Sequence, residues 1–454
     1  TVSAGTAALD VGNVTAAALT DLTVTDSAGA GATTVGTVGA AALVNVSLTN
    51  AGSAIMTTGA TTAGTALKTI AITSSGTGNV IDGGTTAQNA GGTVGASLDS
   101  WTFTGSGVNG AANTFAALDG GTVSSGSITT YTYNNSAASA QANTIAAITT
   151  GSIGTMSITA GDGGGSHTFA TLAGVGQIGN ITINAKDLID WTTGPTAATS
   201  IGNISATMSG TAAAIDLDTI GTTSTTVGDI TVSGAGTFSV IVGAALTVGT
   251  VSTASVTSGT QTITLDNATT IGTTMTGGAG VDVFTGTGAA DTITGSGGTD
   301  TLNGNGGADT LTGGAAADTF IVTAAGSNSG SLDVITDFIG GTDILNLTVA
   351  ASGVINVGSA NADLSIDSAD LASTGVTETT LLANLTTVAG LLAADEFDDA
   401  GDTFAVKITG DSVGGSNVIY VVQNTGADTL VTVADTIIGL TGTSTQALSV
   451  ATVI

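Results

Sequence analysis

Apolar and polar side chains alternate along much of the chain in short runs. Residues 180–184 (NITIN) and 261–265 (QTITL) are two examples. A period of two places every second side chain on the same face of an extended strand, so the pattern predicts half-buried β-strands. Seventy glycines and a single proline accompany these runs. The sequence therefore predicts frequent short strands joined by tight turns.

A second pattern has a longer period. Ile or Val, then Gly, any residue, an apolar residue, and Ser or Thr recur in copies that begin at Ile153, Ile178, Ile201, Val227 and Val248, with a weaker copy at Ile271. The intervals are 25, 23, 26, 21 and 23 residues. A strand-containing repeat of this length predicts a β-solenoid, whose coils stack about 4.8 Å apart with the Ile and Val positions inside.

Two interpretations of this repeat are open. Related pieces begin at Val11 and Val35, but residues 40–150 are β-like without following the period. An array of Thr- and Gly-rich β-sandwiches with coincidental spacing is the alternative to the solenoid. The recurring interval favours the solenoid.

The pattern changes towards the end of the chain. At the spacing typical of a helix, residues 377–395 carry Leu381, Leu382, Leu385, Val388 and Leu392. From residue 402 onward, the runs DTFAVKITG, SNVIYVVQN and TLVTVADTIIGLTG predict strands. We therefore predict that one short helix and several strands close the molecule.

Between these regions an aspartate returns every nine residues, at Asp282, Asp291, Asp300, Asp309 and Asp318. A larger apolar residue lies two positions after each one, at Phe284, Ile293, Leu302, Leu311 and Phe320. Nine residues fit a turn of about six followed by a strand of about three, so two units complete a coil. Residues two units apart then stack, which pairs Asp282 with Asp300, Asp291 with Asp309, and Asp300 with Asp318. The apolar residues are predicted to fill the core.

Stacked carboxylates repel each other strongly in a dry turn unless a cation lies between them. Calcium suits such a place, because it takes about six to eight oxygen ligands, backbone carbonyls among them. Glycine in each turn lets those carbonyls point inward without a clash at Cβ. The alternative is that the aspartates only form turns through local hydrogen bonds.

Residues 277–285 match the pattern G-G-x-G-x-D-x-apolar-x in full. The later units keep the first Gly and the Asp, but other residues replace some glycines, namely Thr287, Ala289, Ser296, Asn305 and Ala316. The segment resembles the RTX nonapeptide repeat. This resemblance implies roughly three or four calcium ions, each held by Asp carboxylates and turn carbonyls of two stacked coils. Besides the five aspartates, it assigns to the metal sites Gly277, Gly280, Gly286, Gly288, Gly295, Gly298, Gly304, Gly307 and Gly313.

The runs LDVITDF and GTDILNL follow at residues 332–338 and 341–347. They resemble the segment that follows the roll in many proteins of type I secretion systems. Asp333, Asp337 and Asp343 are candidate calcium ligands on this basis, and solvated turn residues are the alternative. The resemblance also implies an uncleaved secretion signal in the last residues, which agrees with a first residue, Thr1, that does not open a signal segment.

The predicted fold class is therefore all-β: an elongated β-solenoid, or parallel β-helix, with an RTX calcium-binding β-roll and a β-rich C-terminal cap containing one short helix. The predicted regions are a Thr/Gly/Ala-rich β domain over 1–150, a solenoid with coils of about 24 residues over 151–276, the roll and its following strands over 277–347, and the cap with the secretion signal over 348–454.

Charge and composition exclude several classes of function. The chain has 33 acidic residues against three lysines and no arginine, a formal charge of −30, so nucleic-acid binding is not expected. No cysteine is available for disulfides or thiolate metal sites. No apolar run reaches the roughly 18–20 residues of a transmembrane span. His167 is the one histidine, which rules out a His-Glu-x-x-His zinc site, and we expect it in a loop rather than in a catalytic triad.

The sequence thus predicts a structural protein rather than an enzyme. Few aromatic residues, Thr/Gly/Ala repeats, acidity and the RTX repeats resemble the RTX-type surface-layer (S-layer) proteins of Gram-negative bacteria. The resemblance implies export by type I secretion and calcium-dependent assembly of the chain with itself into a lattice or filament on the cell surface. It also implies attachment to lipopolysaccharide or a surface glycan through a separate anchor. The alternative is an RTX adhesin or extracellular fibre subunit that binds glycans or another surface.

Overall fold

The computed structural model describes residues 1–4, 7–27, 30–78, 80–87, 96–106, 112–119, 126–136, 141–161, 163–173, 176–195, 198–210, 213–221, 226–243, 247–265, 271–323, 326–328, 330–347, 353–357, 402–408, 418–423 and 435–440. Every regular element in these ranges is a β-strand, which confirms the all-β prediction. The helix predicted for 377–395 lies outside the described residues. The chain divides into two compact units, Thr1–Val248 and Gly249–Ile454.

The first unit is a parallel β-solenoid. Its first face consists of the strands Val2–Ala4, Asp21–Asp26, Asn45–Asn50, Thr69–Ser74, Ser97–Gly105, Ser127–Asn135, Ser152–Thr159, Gln177–Ala185, Ser200–Ile201, Ile204–Met208, Thr226–Val227, Ile230–Ala235 and Thr247–Val248. Its second face consists of Leu9–Asp10, Thr33–Val35, Met56–Thr58, Val80–Asp82, Thr114–Phe115, Ala142–Ile145, Ser166–Ala173, Leu188–Thr193, Ala214–Ile220 and Thr237–Val242. A third face consists of Val14–Thr15, Val38–Ala40, Thr61–Ala63, Thr85–Ala87, Leu118–Asp119 and Ile148–Thr149.

The number of faces falls from three to two within the strand Ser166–Ala173. Its first half pairs with Ala142–Ile145 on the second face, and its last residues pair with Ile148–Thr149 on the third. In the coil before it, Ala146 and Ala147 separate those two faces, whereas Ala170 and Thr171 remain within one continuous strand. The next coil on this side has the single strand Leu188–Thr193.

The longer sequence period is the register of the first face. Ile153 pairs with Ile178, Ile178 with Ile201, Ile201 with Val227, and Val227 with Val248, each in a parallel ladder. All five side chains are buried. The solenoid prediction is thereby confirmed, and the β-sandwich alternative is wrong, because these copies are hydrogen-bonded neighbours in one sheet.

The polar residue in the same pattern has its own role. Oδ1 of Asn180 accepts a hydrogen bond of 3.1 Å from the backbone N–H of Asn203, and Oδ1 of Asn203 accepts one of 3.1 Å from that of Asp229. Each side chain thus binds the backbone of the next coil at a corner where the strand ladder is interrupted. The pattern therefore combines an inner apolar stripe with an outer amide ladder.

Longer coils explain why residues 40–150 do not follow the period. Thr69 pairs with Asn45 on one side, but with Ser100 on the other, and Ser100 pairs with Thr130. Large side chains fill these coils: the rings of Trp101 and Tyr131 stack with centroids 4.4 Å apart. Equivalent residues of successive coils therefore still pair with each other, although the number of residues in a coil changes.

The second unit contains a two-faced parallel roll. One face has the strands Val251–Ser258, Thr274–Thr276, Thr292–Gly297, Thr310–Ala315 and Asp333–Ile335. The other has Thr260–Leu265, Val281–Thr285, Thr301–Asn303, Thr319–Val322 and Ile344–Leu347. The predicted core residues Phe284, Ile293, Leu302, Leu311 and Phe320 are all fully buried, as predicted.

Two details of the roll differ from expectation. Thr292–Gly297 and Thr310–Ala315 are six residues long rather than about three, because their pairing continues into the turn, where Ser296 faces Gly314. The weaker copy of the longer pattern is not part of the inner stripe, since the side chain of Ile271 is 54 % exposed. Its resemblance to the buried copies was coincidental.

The last described strands extend the first face of the roll. Gly353–Val357 pairs in parallel with Asp402–Ile408, which pairs antiparallel with Val418–Gln423. Val418–Gln423 pairs antiparallel with Thr436–Leu440, and that strand lies parallel to Asp333–Ile335. The three strands predicted after residue 402 are confirmed.

Candidate metal centre

Seven aspartates form two columns along the roll. Asp282, Asp300, Asp318 and Asp343 lie directly before a strand of one face or within its first two residues, and Asp291, Asp309 and Asp333 lie likewise on the other face. Their exposed fractions are between 0 and 3 %. Seven carboxyl groups have therefore been removed from water within one small unit, which requires compensation by hydrogen bonds or by positive charge.

Hydrogen bonds between coils hold each column together. The backbone N–H of Asp282 donates to Oδ1 of Asp300 over 2.8 Å, and that of Asp300 donates to Oδ1 of Asp318 over 2.9 Å. Asp291 donates in the same way to Asp309 over 2.7 Å. These contacts confirm the three stacked pairs predicted from the period of nine. Each carboxylate uses one oxygen to bind the preceding coil.

The columns continue beyond the nine-residue repeats. The N–H of Asp309 donates to Oδ1 of Asp333 over 2.9 Å, and the N–H of Asp318 donates to Oδ1 of Asp343 over 3.0 Å. These partners follow after 24 and 25 residues, so a search for intervals of 18 misses them. Burial excludes the interpretation of Asp333 and Asp343 as solvated turn residues. A role of either residue as a metal ligand stays a prediction.

Asp337 has a different place. Its side chain is partly exposed, and its two oxygens accept hydrogen bonds of 2.9 and 2.7 Å from the N–H groups of Gly313 and Gly314. Asp337 therefore holds the turn of the last repeat from outside the columns.

The first glycine of each repeat lies under the carboxylate of its own aspartate. A Cβ added there would come within 2.0–2.5 Å of Oδ2 of the aspartate five residues later, in all five cases: Gly277, Gly286, Gly295, Gly304 and Gly313. No side chain fits in this space. Gly280 and Gly288 lie in the turns that precede Asp282 and Asp291.

The last three repeats share a left-handed turn. The second position has φ of 77° at Ser296, 70° at Asn305 and 106° at Gly314, and the fourth has 121° at Gly298, 117° at Gly307 and 96° at Ala316. L-residues pay roughly 1–2 kcal/mol for this conformation. Because Ser296, Asn305 and Ala316 adopt it nevertheless, the conformation is imposed by the roll rather than by local preference.

The charged form of these aspartates is unfavourable in the folded chain. Burial raises the pKa of Asp300 to about 7, with further contributions from the carboxylates of Asp282 and Asp318. Burial and the neighbouring carboxylate of Asp333 raise the pKa of Asp309 to about 8. Burial also raises the pKa of Asp282, Asp291, Asp318 and Asp343. A positive charge beside the columns would restore the ionised form.

Two carboxylate oxygens have no hydrogen-bond donor. Oδ2 of Asp300 and Oδ2 of Asp309 are buried and unpartnered, in contrast to the Oδ1 atoms of the same residues. Unpartnered buried carboxylate oxygens beside glycine-rich backbone are the donor set that calcium prefers, so these residues fit the ion. Nowhere in the described ranges do three His, Asp or Glu side chains converge on one point, so backbone carbonyls or water would have to complete the coordination of an ion.

His167 belongs to the core and not to a loop, contrary to expectation. It lies in the strand Ser166–Ala173 and is fully buried. The Tyr133 hydroxyl oxygen and His167 Nδ1 are 2.7 Å apart, while His167 Nε2 is 3.9 Å from Oδ2 of Asp187. Burial lowers the pKa of His167 to about 4. An isolated histidine in an alternating segment already signals such a buried position.

Comparison with known proteins places the repeats in a family. Residues 276–311 and 294–322 match the model of the RTX calcium-binding nonapeptide repeat, with four copies. No curated protein matches the chain. Within the described residues, the structure has no helix with the length and hydrophobicity that crossing a membrane requires. The matched segment contains the five regularly spaced aspartates and their glycine turns, and the chain accordingly contains RTX repeats of the calcium-binding type, which build the roll.

Proposed function

We propose that this chain is a calcium-dependent structural protein of a Gram-negative cell surface, exported by type I secretion and assembling with itself into an S-layer lattice or filament. The observation that carries the proposal is the pair of buried aspartate columns, in which Oδ2 of Asp300 and Oδ2 of Asp309 have no donor. Such columns are stable in the ionised form only with a cation beside them.

Calcium would be held in the turns of the roll. Asp300, Asp309 and Asp318 supply carboxylate oxygens, and the glycine-rich turns supply backbone carbonyls. The bound ion supplies positive charge that offsets the repulsion between stacked carboxylates. The chain's own residues do the rest: the first glycine of each repeat makes room for the carboxylate, and the Asp–Asp hydrogen bonds set the spacing of the coils.

The surface of the first unit supports a structural role. One column of outward side chains on its first face passes through nine successive coils, and all but one carry a hydroxyl group: Thr23, Ser47, Ala71, Thr102, Thr132, Ser157, Thr182, Ser205 and Thr231. A uniform, uncharged and regularly spaced surface offers the same contact at every coil. Repeated contacts of this kind suit packing between copies of one chain.

The position of His167 also supports a structural rather than an enzymatic role. Its ring is fully buried and bonded to Tyr133, so no substrate reaches it. The single histidine of the chain is thereby unavailable as a general base. Attachment to lipopolysaccharide or a surface glycan would use a separate anchor.

Electron microscopy of the purified chain tests the proposal. We expect ordered sheets or filaments at millimolar calcium that dissolve on addition of EGTA. A chain that stays monomeric under both conditions contradicts assembly. Binding of the calcium-loaded monomer to a glycan array, without ordered assembly, would instead support an RTX adhesin.

A further inference from the structure

In the first two repeats of the roll, groups of the protein itself donate hydrogen bonds to both carboxylate oxygens of the aspartate. In the first, Oδ2 of Asp282 accepts a hydrogen bond of 2.9 Å from the N–H of Gly278, and its Oδ1 accepts one of 2.8 Å from the hydroxyl of Thr253. Thr253 lies in the preceding coil, on the strand Val251–Ser258. Both oxygens of Asp282 therefore have a donor from the chain itself.

The second repeat has a fuller set of donors. The N–H of Thr287 donates to Oδ2 of Asp291 over 2.6 Å, and the Thr287 hydroxyl lies 3.0 and 3.1 Å from Oδ1 and Oδ2. The N–H of Thr273 donates to Oδ1 over 2.6 Å from the preceding coil. Thr287 stands where the repeat pattern has its second glycine. This departure from the pattern thus places a hydroxyl group directly on the carboxylate.

The next two repeats lack these donors. Asp300 and Asp309 each accept one backbone N–H at Oδ1, and their Oδ2 atoms are buried without a partner. The residues that correspond to Thr287 are Ser296 and Asn305, which have left-handed φ values of 77° and 70°. The N–H of Asn305 is turned away and donates to the side chain of Asn303 over 2.9 Å. The turn has therefore changed from one that donates to the carboxylate to one that does not.

We propose that the roll contains two kinds of repeat, in which the repeats of Asp282 and Asp291 close on Thr253, Thr273 and Thr287 and fold without calcium, while calcium binding begins at the repeats of Asp300 and Asp309. The first coil is then a metal-independent base on which the calcium-dependent coils are added. Thr253 and Thr287 are positioning residues, because their hydroxyl groups contact the carboxylates in place of an ion. This inference rests on the proposed calcium binding, and its test separates the two.

The direction of several backbone hydrogen bonds agrees with the addition of the later coils to the first coil. The N–H groups of Thr292 and Gly297 donate backward, to the carbonyls of Thr273 and Gly278 in the preceding coil, and Val281 donates to Gly259. These three amides keep their acceptors even when later coils are absent, whereas the N–H of Gly286 donates forward to the carbonyl of Asn303. The N–H groups of Thr310 and Thr319 in the calcium-dependent coils donate backward in the same way, to the carbonyls of Asp291 and Asp300, so each added coil binds to the coil before it.

Hydrogen exchange of the full chain, with and without calcium, tests the inference. In EGTA we expect the strands Val281–Thr285 and Thr292–Gly297 to stay protected, and Thr301–Asn303 and Thr310–Ala315 to gain protection only when calcium is added. Loss of protection of all four strands together in EGTA would overturn the inference, since the first coil would then also need the ion. This measurement needs no variant.

Matched substitutions give a second test, with calcium counted by isothermal titration calorimetry. Asp300→Asn and Asp309→Asn are expected to bind at least one ion fewer than the unmodified chain, whereas Asp282→Asn and Asp291→Asn bind the same number. Equal losses in all four variants would overturn the inference while leaving calcium binding intact. Absence of calcium binding in the unmodified chain would overturn both the inference and the proposed function.

The hydroxyl group itself is tested with Thr287→Val, which keeps the shape of the side chain. We expect this variant to lose the protection of Thr292–Gly297 in EGTA and to bind as many ions as the unmodified chain. Thr287→Ser, which restores the hydroxyl, should recover that protection. Unchanged protection in Thr287→Val would contradict the role assigned to Thr287.

Discussion

The backbone N–H of Asp291 donates a hydrogen bond of 2.7 Å to Oδ1 of Asp309, a residue of the next coil. This contact joins the two coils and uses one oxygen of the carboxylate, while the other, Oδ2, is buried without a donor. A buried carboxylate in this state requires a proton or a cation beside it. We therefore expect protons and calcium to compete for the same side chains, and the stability of the roll to depend on both.

Without calcium, we expect the roll to be most stable at acidic pH. The pKa of Asp300 is raised from 3.8 to about 7, and that of Asp309 to about 8. A carboxyl group with a higher pKa in the folded state binds its proton more tightly there. Its contribution to stability is complete below pH of about 4 and is lost as pH rises to about 8. Urea unfolding in calcium-free buffer across this range should show a falling midpoint.

The control for this pH dependence is the double variant Asp300→Asn/Asp309→Asn, which removes two of the titrating groups. Its midpoint should change less with pH than that of the unmodified chain. A midpoint of the unmodified chain that rises with pH in calcium-free buffer would contradict the prediction.

Asp309→Asn should change the stability of the roll in opposite directions with and without calcium. The carboxylates of Asp333 and Asp291 lie near Asp309 and raise its pKa. In calcium-free buffer at neutral pH, the neutral amide removes this repulsion and should raise the melting temperature. In excess calcium, loss of a ligand oxygen should lower it. Asp99→Asn removes one exposed acid outside the roll and should have little effect in either buffer.

The core of the roll is thin, so single side chains matter. Phe284 is fully buried and pairs in register with Leu302 of the next coil. Replacing a buried Phe by Ala typically costs about 3–5 kcal/mol. We expect Phe284→Ala to destabilise the roll by this amount in urea unfolding with saturating calcium. Val281→Ala is the control: its side chain is 38 % exposed, and a loss of similar size there would contradict a specific core contribution.

Gly304→Ala should abolish calcium binding in its repeat. A Cβ at Gly304 would lie 2.0 Å from Oδ2 of Asp309, so the carboxylate must leave its place. Gly297→Ala is the matched substitution in the same roll, because the nearest atom to its Cβ would be 3.6 Å away. Titration calorimetry should show fewer ions bound by Gly304→Ala and an unchanged number for Gly297→Ala. Equal binding by both variants would show that the space above Gly304 is not needed.

Periodic parts of the fold were predictable from the sequence. The Ile and Val positions from Ile153 to Val248 stack in the predicted order because parallel pairing keeps equivalent residues in register. The same holds for the aspartate pairs, whose interval of 18 residues is one coil of the roll. In both cases the interval in sequence equals the length of a coil.

Prediction failed where the coil length changes or where contacts come from distant residues. The pairing of Thr69 with Ser100 falls outside the period of the later coils, and Asp343 follows Asp318 after 25 residues instead of 18. His167 was expected in a loop, but its ring closes a buried network with Tyr133. These contacts join residues of different coils, so the local sequence does not identify the partner.

The sequence by itself determined the repeat, the core positions and the candidate metal ligands, because a strand with a fixed period places identical side chains at identical depths. Only the tertiary structure decided which aspartates lack a donor. Asp282 and Asp291 receive hydrogen bonds from Thr253 and Thr273 of the preceding coil, whereas Oδ2 of Asp300 and Oδ2 of Asp309 receive none. The five aspartates look equivalent in sequence, but their partners lie on neighbouring coils, and stacking alone brings those partners together.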